Sequence, residues 1–388
     1  MGKDGGEMMT AQLVKKTIFS EDFRKLIARS GEPAAVRKLR EEAFVFFEEN
    51  GFPTPRHEDW KYTNVSSVAS GEWRVDSAGG SINDVENALL RKFRFERNGF
   101  TALNQAFANI SIVRIPKETV VDAPFEITSA GNEGTATFPH VIIVAEAGSK
   151  ATLVESYSSS TKSFTNAAVQ IFVEDNANLT HYRVQKESVE AFHYGVTEAS
   201  LGRGSVYNST NINLGGAISR HDIELKFTAE GSEAWVDGLY MIQGTQHSDT
   251  HSIIDHAVPN CTSHQNYKGV LNNSARGVFN GKVFVRENAH GTDAHQSNKN
   301  LLLSNDARVD TKPQLEIFND DVKCSHGATV GQLEEEELFY LLTRGLPETL
   351  SRNLLTYGFA EEIINKIGIK KIKAELDNAV LHRLSTVL

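Results

Sequence analysis

Small-residue turns of one chemical type recur through the middle of this chain: EAGSKATL, EDNANLTH, GRGSVYN, AEGSEAWV, NNSARGVF and SNDARVDT. Their central residues Ser149, Ala177, Ser205 and Ser232 fall 28, 28 and 27 positions apart. A period in that range marks a solenoid or another repeated unit. The residues between the turns are β-branched and aromatic, so the unit is built of strands. Each has room for two or three short strands, as in TNAAVQIFVE followed by LTHYRVQ, and no helical crossover fits between them. A doubly wound α/β sheet is thereby excluded. A sandwich would call for closed hairpins with Asn-Gly or Asp-Gly turns. A parallel β-helix would stack small turn residues rung upon rung and would need a cap at each end against edge pairing. The constant spacing favours the β-helix. After position 232 the spacing widens to 43 (Ala275) and 32 (Ala307), which predicts insertions or longer rungs there.

Helical patterns flank this block. Phe23, Leu26 and Ile27 share one helical face. A second stripe of Val36, Leu39, Ala43, Phe46 and Phe47 begins after Pro33 and stops at Gly51. The Pro-containing stretch GFPTPRHEDWKYTNV reads as an extended connector whose Trp60 and Tyr62 are docked. Further helices are expected near 84–92 and 101–107. Beyond 332 a helix begins near Leu333. Pro347 opens another, and Ile363, Ile364, Ile367, Leu376, Val380, Leu381 and Leu384 continue the stripes. The expected organisation is a disordered start (1–15), an N-terminal helical domain and connector (16–108), a β-helix core (109–331) and a C-terminal helical domain (332–388). The last of these can serve as a cap or as a docking surface.

The charge balance narrows the partners. Fifty acidic residues against 40 basic ones leave a net charge of -10, opposite to a nucleic-acid footprint. Runs such as AFVFF and VIIVA are far short of a membrane span, and the start has no signal-like apolar run. No membrane partner and a cytoplasmic location are therefore expected. With two cysteines, Cys261 and Cys324, neither a disulfide framework nor a four-thiolate site can be built from one copy.

Three polar constellations are candidates for chemistry. GTQHSDTHSIIDHAVPNCTSHQ holds His247, Asp249, His251, Asp255, His256, Cys261 and His264. On a strand, His247, Asp249 and His251 share one face, as a metal-ligand array would. The same row is also what a hydrogen-bonded polar ladder looks like, and the ladder is favoured because a metal site needs further support around its ligands. RENAHGTDAHQSNKN adds His290, Asp293 and His295 among Asn and Gln residues suited to interior stacking. The third is Cys324-Ser325-His326, where the alternating pattern gives way to helix. Cys324 and His326 are a soft-metal pair, but two ligands are too few, so the missing ones would have to come from another chain or from a transient sulfur species. The chain lacks GxSxG, HExxH and Walker A patterns, against hydrolase, zincin or ATPase activity of its own.

Three long motifs carry a family likeness: PRHEDWKYTNV, DTHSIIDHAVPNCTSHQNYKGVLNNSARGVFNGKVFVRENA and DDVKCSHGATVGQLEEEELFYLLTRGL. They resemble the SufB/SufD family of the SUF iron-sulfur cluster assembly scaffold, and most closely its D-type members, over residues from about 20 to 388. The resemblance implies a mainly β chain, with a right-handed parallel β-helix core between N- and C-terminal helical domains, and a non-catalytic role in cluster assembly. It implies a B-type paralogue paired through the β-helix core and an ABC-type ATPase docked on the C-terminal helices; whether the chain forms a homodimer alone is left open by the sequence. It further implies no tightly bound cofactor, but a transient iron-sulfur cluster at the interface with the B-type partner, met by His326 of the Cys-x-His motif. The sulfur-accepting cysteine of B-type chains is absent from 297–300, and His326-Gly327-Ala328-Thr329 stands where they read His-Glu-Ala-Thr. Two further readings remain, a stand-alone metalloenzyme using the His247/Asp249/His251 row and a purely structural dimerisation partner.

Overall fold

The structure, a computed structural model, describes residues 17–29, 31–76 and 88–386. Two parallel sheets of ten and eight strands make up its centre. The chain alternates between them: Phe164–Val173 lies in the larger sheet, Asn178–Lys186 in the smaller, Phe192–Leu201 in the larger again and Val206–Asn213 in the smaller. From Pro139–Ala145 to Thr292–Leu302 each strand pairs with the strand two later in sequence, so Phe164 lies beside Phe192 and Asn178 beside Val206. This is the parallel β-helix expected from the turns, flattened into two faces.

One corner of the coil explains the period. Ser149, Ala177, Ser205 and Ser232 are buried, each one rung above the last. Their carbonyls accept hydrogen bonds from Asn178, Val206, Glu233 and Thr262 on the following rung. The residue before each is Gly148, Asn176, Gly204 or Gly231, all at positive φ, where glycine and asparagine are the least strained choices. The widening after 232 is corrected here. The next residue in this stack is Cys261, buried, preceded by Asn260 at φ 54 and bonded through its carbonyl to the Asp293 amide at 3.1 Å. Glu233 accordingly pairs with Thr262, and the rung has no insertion. Ala275 and Ala307 belong to the opposite corner, where the Ala275 carbonyl accepts from the Arg308 amide at 3.0 Å. The step of 43 thus joins two interleaved corner series, whereas the step of 32 from Ala275 to Ala307 is a longer rung, as expected: Arg276 pairs with Arg308 and Thr262 with Asp293, against Asn178 with Val206 earlier in the coil.

The lumen is apolar towards the first corner, with Leu153, Leu179, Val236, Ile171, Leu225 and Val283 interdigitated. Elsewhere it is polar. Glu155 accepts from Tyr157 and lies 2.7 Å from His181, whose other nitrogen meets the Tyr207 hydroxyl. Glu187 holds Thr165 at 2.6 Å and His193 at 2.9 Å, and Arg183 donates to the far side of that imidazole. Burial pushes the Glu155 carboxyl up, but His181 and Arg183 outweigh it and hold the group below its ordinary value. Sequence reasoning missed this cluster. Its signal is a charged residue at an inward position, as in the alternation Leu153, Glu155, Tyr157.

The N-terminal helices and the last two C-terminal helices lie along the two outer faces of the coil. Ala34–Asn50 runs from Pro33 to Gly51, whose φ of 64° closes it. Gly99–Phe107 starts two residues before the expected 101 because the Asn98 side chain caps it. With Ser20–Ala28 these helices pack Phe23, Phe44, Phe47, Phe100 and Phe107 against Phe138, Phe164, Phe192 and Tyr194 on the outside of the larger sheet. Each buried aromatic is worth about 1.5–3 kcal/mol in transfer terms. Of the helix expected near 84–92, residues 84–87 lie outside the described residues and 88–90 form a helical turn. The start at 1–15 also lies outside them. At the other end of the chain, Glu348–Ile364 and Lys370–Thr386 bury Ala360, Ile363, Ile364, Leu376 and Val380 against Tyr182, Leu239, Met241 and Val270 on the outside of the smaller sheet.

Candidate functional site at the open end of the coil

Residues 308–331 form the last two strands, one ending each sheet. Arg308–Ile317 pairs on one side with Arg276–Val285, and Val322–Gly331 on one side with Thr292–Leu302. Among the described residues nothing pairs with the other edge of either. The lumen is therefore open, with Ile317 40%, Phe318 57% and Val330 48% exposed around it. Pro313 sits in the edge strand Arg308–Ile317, where a missing N–H costs no ladder bond.

The Cys-Ser-His triplet lies inside Val322–Gly331, in the middle of a strand. The expected seam at Cys324 and His326 is thus displaced: the strand continues to Gly331, and the helix Glu335–Thr343 starts two residues after Leu333. Strand alternation separates the triplet. Cys324 falls at the end of the inward column Ala234, Ser263, Ala294, and packs against the apolar lumen. His326 ends the adjacent inward column Val236, Gln265, Gln296 and is exposed at the mouth. Ser325 projects outward, its hydroxyl 2.6 Å from His295 Nδ1. His295 in turn stacks on His264, and His264 on Trp235, at centroid separations of 5.1 and 4.1 Å. Burial pushes the Cys324 thiol up, so at neutral pH the isolated chain presents a thiol and not a ready thiolate.

Among the described residues no group of three or more His, Cys, Asp or Glu side chains could hold a metal ion. Cys324 and His326 are thus two neighbouring donors at an opening.

The denser row has a different place. His247, Asp249 and His251 share one face of His247–His256, as expected, but that face is the outside of the larger sheet, under the 58–63 connector. The Thr63 hydroxyl donates to Asp249 at 2.6 Å. Its single hydrogen is used there, so at 2.8 Å it accepts from His247 Nε2. Arg220 bridges Asp249 at 2.9 Å and Asp222 at 2.8 Å, donates to the Asp59 carbonyl at 2.6 Å, and lies over Trp60, its guanidinium carbon 3.8 Å from the ring centre. His251 sits 3.0 Å from Asp249. Burial pushes the Asp249 carboxyl up, yet His251 and Arg220 outweigh it and hold it well below the usual range. Burial lowers His247. The row is a tie between connector and coil, which overturns the ligand-array reading; Trp60 is docked as expected, while Tyr62 remains 38% exposed.

The other residues of these constellations scatter. Cys261 is a corner residue and, like Cys324, a free thiol. His256 faces the lumen on Ser263 at 2.8 Å, its imidazole lowered to about 4 by burial. Asp255 pairs with Arg286 outside, and His290 is exposed on a turn. Asp293 lies 2.8 Å from His295. Gln296, Asn298 and Asn300 are buried in the lumen, the interior stacking their composition suggested.

A parallel coil with helices laid on both outer faces and an incomplete donor pair at its open end defines a class of β-solenoid protein. A family model described as the SUF system FeS cluster assembly SufBD core domain matches residues 126–359, and one described as the SufBD protein N-terminal region matches 16–86. The chain belongs to the SufBD family of the SUF iron-sulfur cluster assembly system. It is 35% identical to an iron-sulfur cluster assembly SufBD family protein of Synechocystis, over 85% of this chain and 76% of that one. It is 30% identical to the iron-sulfur cluster assembly protein SufD of Escherichia coli, over 86% of this chain and 90% of the relative. The SufD of Bacillus subtilis is 28% identical over 74% of this chain and 67% of its own length. Among the described residues no helix is long and apolar enough to cross a membrane.

Proposed function

We propose that this chain is a non-catalytic scaffold subunit that pairs through the open end of its coil with a B-type paralogue and completes there a transient site for a nascent iron-sulfur cluster. The cluster is cargo, met from this side by His326, with Cys324 beside it. The observation that carries this reading is the last rung: free strand edges with apolar residues around them, and two inward donors where a metal site needs three or four. A free edge pairs with another strand most readily, so a second copy of this chain is the expected occupant when the paralogue is missing.

An ABC-type ATPase docks, in this reading, on the C-terminal helices. The helix Glu335–Thr343 supports it: it has no buried residue, with Phe339 68% and Tyr340 56% exposed, whereas the two helices that follow bury apolar stripes on the coil. Motion of a docked ATPase would reach His326 through the few residues between Val330 and Glu335. A reducing, cytoplasmic setting fits two free cysteines.

The test is co-expression with the B-type paralogue and the ATPase. A complex of normal composition whose His326→Ala form matures clusters several-fold more slowly is the expected result. Full-rate maturation by that variant would remove the role of His326, and failure of the three chains to co-purify would remove the scaffold reading.

A further inference from the structure

Gln296 lies one rung below His326, in register with it, and both side chains project into the lumen. Its amide is held from beneath. Nε2 donates to Gln265 Oε1 at 2.6 Å, and Gln265 Nε2 donates to Ser252 Oγ at 2.7 Å. Space for that amide is left by Gly281 on the facing sheet, where a Cβ would fall 2.2 Å from Gln296 Nε2. The residue is 3% exposed, and its Oε1 is a buried acceptor with no hydrogen-bond partner. Buried acceptors are rarely left so, and an orphan of this kind calls for a donor. The next inward side chain of the column is His326.

We propose that Gln296 is the positioning residue of the mouth: its Oε1 accepts one N–H of the His326 imidazole. That bond fixes the tautomer and the ring plane, and leaves the second nitrogen's lone pair facing out of the coil towards a soft or borderline cation such as iron. An imidazole on an exposed edge strand otherwise turns freely and divides its proton between two nitrogens. Partners of this type, an amide or carbonyl oxygen behind a ligating histidine, orient the ring and raise its basicity. The inference rests on His326 being the donor residue assigned above.

Two substitutions separate the positioning role from a purely structural one. Gln296→Leu removes both the Nε2 donor to Gln265 and the Oε1 acceptor. Gln296→Glu removes the donor but keeps an acceptor. The readouts are the ring nitrogens of His326 by 15N NMR on the purified chain, and cluster maturation by the complex with the B-type paralogue and the ATPase. In the wild type the neutral ring is expected to hold its proton on one nitrogen. Gln296→Leu is expected to release that preference and slow maturation roughly tenfold, the scale of loss for such supporting groups. Gln296→Glu is expected to keep the preference and to mature clusters within about twofold of wild type. Equal losses in both variants, or His326 signals unchanged by Gln296→Leu, would overturn the proposal, because a ladder needed only for folding fails alike in both. If the signals respond as expected while Gln296→Leu and His326→Ala both mature clusters at the full rate, the contact stands and the function assigned to His326 falls.

Discussion

Two polar rows on the same coil invite opposite readings from composition and from structure. His247, Asp249 and His251 are dense in metal-binding side chains, yet each is already committed: Asp249 to Thr63 and Arg220, His247 to Thr63, His251 to Asp249. Cys324 and His326 are sparse, but they stand where the coil ends and the strand beyond is missing. Ligand-type residues that are satisfied hold a structure together; those left at an opening are available. The difference lies in what covers each row. Connector residues 58–63 lie over the first, whereas no described element covers the second.

The largest expected break in this comparison is at Asp249. Asp249→Ala leaves the 4% exposed Arg220 with one carboxylate fewer, and losing one partner of a buried pair typically costs about 3–5 kcal/mol. Urea melting should show that loss together with new proteolysis in the 52–65 connector; a loss under 1 kcal/mol would mean the connector is held by its aromatic residues alone.

Acid should act on the same side. Burial lowers the folded pKa of His247 below its unfolded value of about 6.5, so the unfolded chain takes up the proton first. Stability is full above that value and falls as pH drops through it. Asp249 follows: with its folded pKa depressed, its contribution is present above the unfolded value of about 3.9 and is lost as pH falls towards the folded one. Thermal melts from pH 7 to pH 3 should show both limbs, and Thr63→Val, which removes the hydroxyl serving both groups, should cost about 1–2 kcal/mol at neutral pH. A pH profile unchanged in His247→Gln would show that this imidazole is not the sensor of the upper limb.

The mouth should respond least. His326→Ala in the isolated chain is expected to stay within about 0.5 kcal/mol of wild type in the same melts, since the side chain is exposed. A larger loss would place His326 among the structural residues and erase the contrast between the rows.

Much of the architecture was legible in the chain. The turn period announces a coil, and the Gly-or-Asn plus small-residue pairs 148–149, 176–177, 204–205, 231–232 and 260–261 carry it past 232, because the left-handed residue marks the corner more strictly than the small one after it. Pro33, Gly51 and Pro347 marked helix boundaries because their backbone preferences are local. The rows were harder. A period of two says that His247, Asp249 and His251 share a face, and that Cys324 and His326 share one, but nothing local says which face is inside. That was decided by where each strand lies in the stack and by which distant segment covers it: Thr63 is 184 residues from His247 and 186 from Asp249. The sequence by itself determined the rungs, the helix stops and the family motifs, all of which depend on short-range backbone preference and alternation. Only the tertiary structure decided that the crowded row is tied down and the sparse one open, because satisfaction of a polar group depends on its neighbours in space.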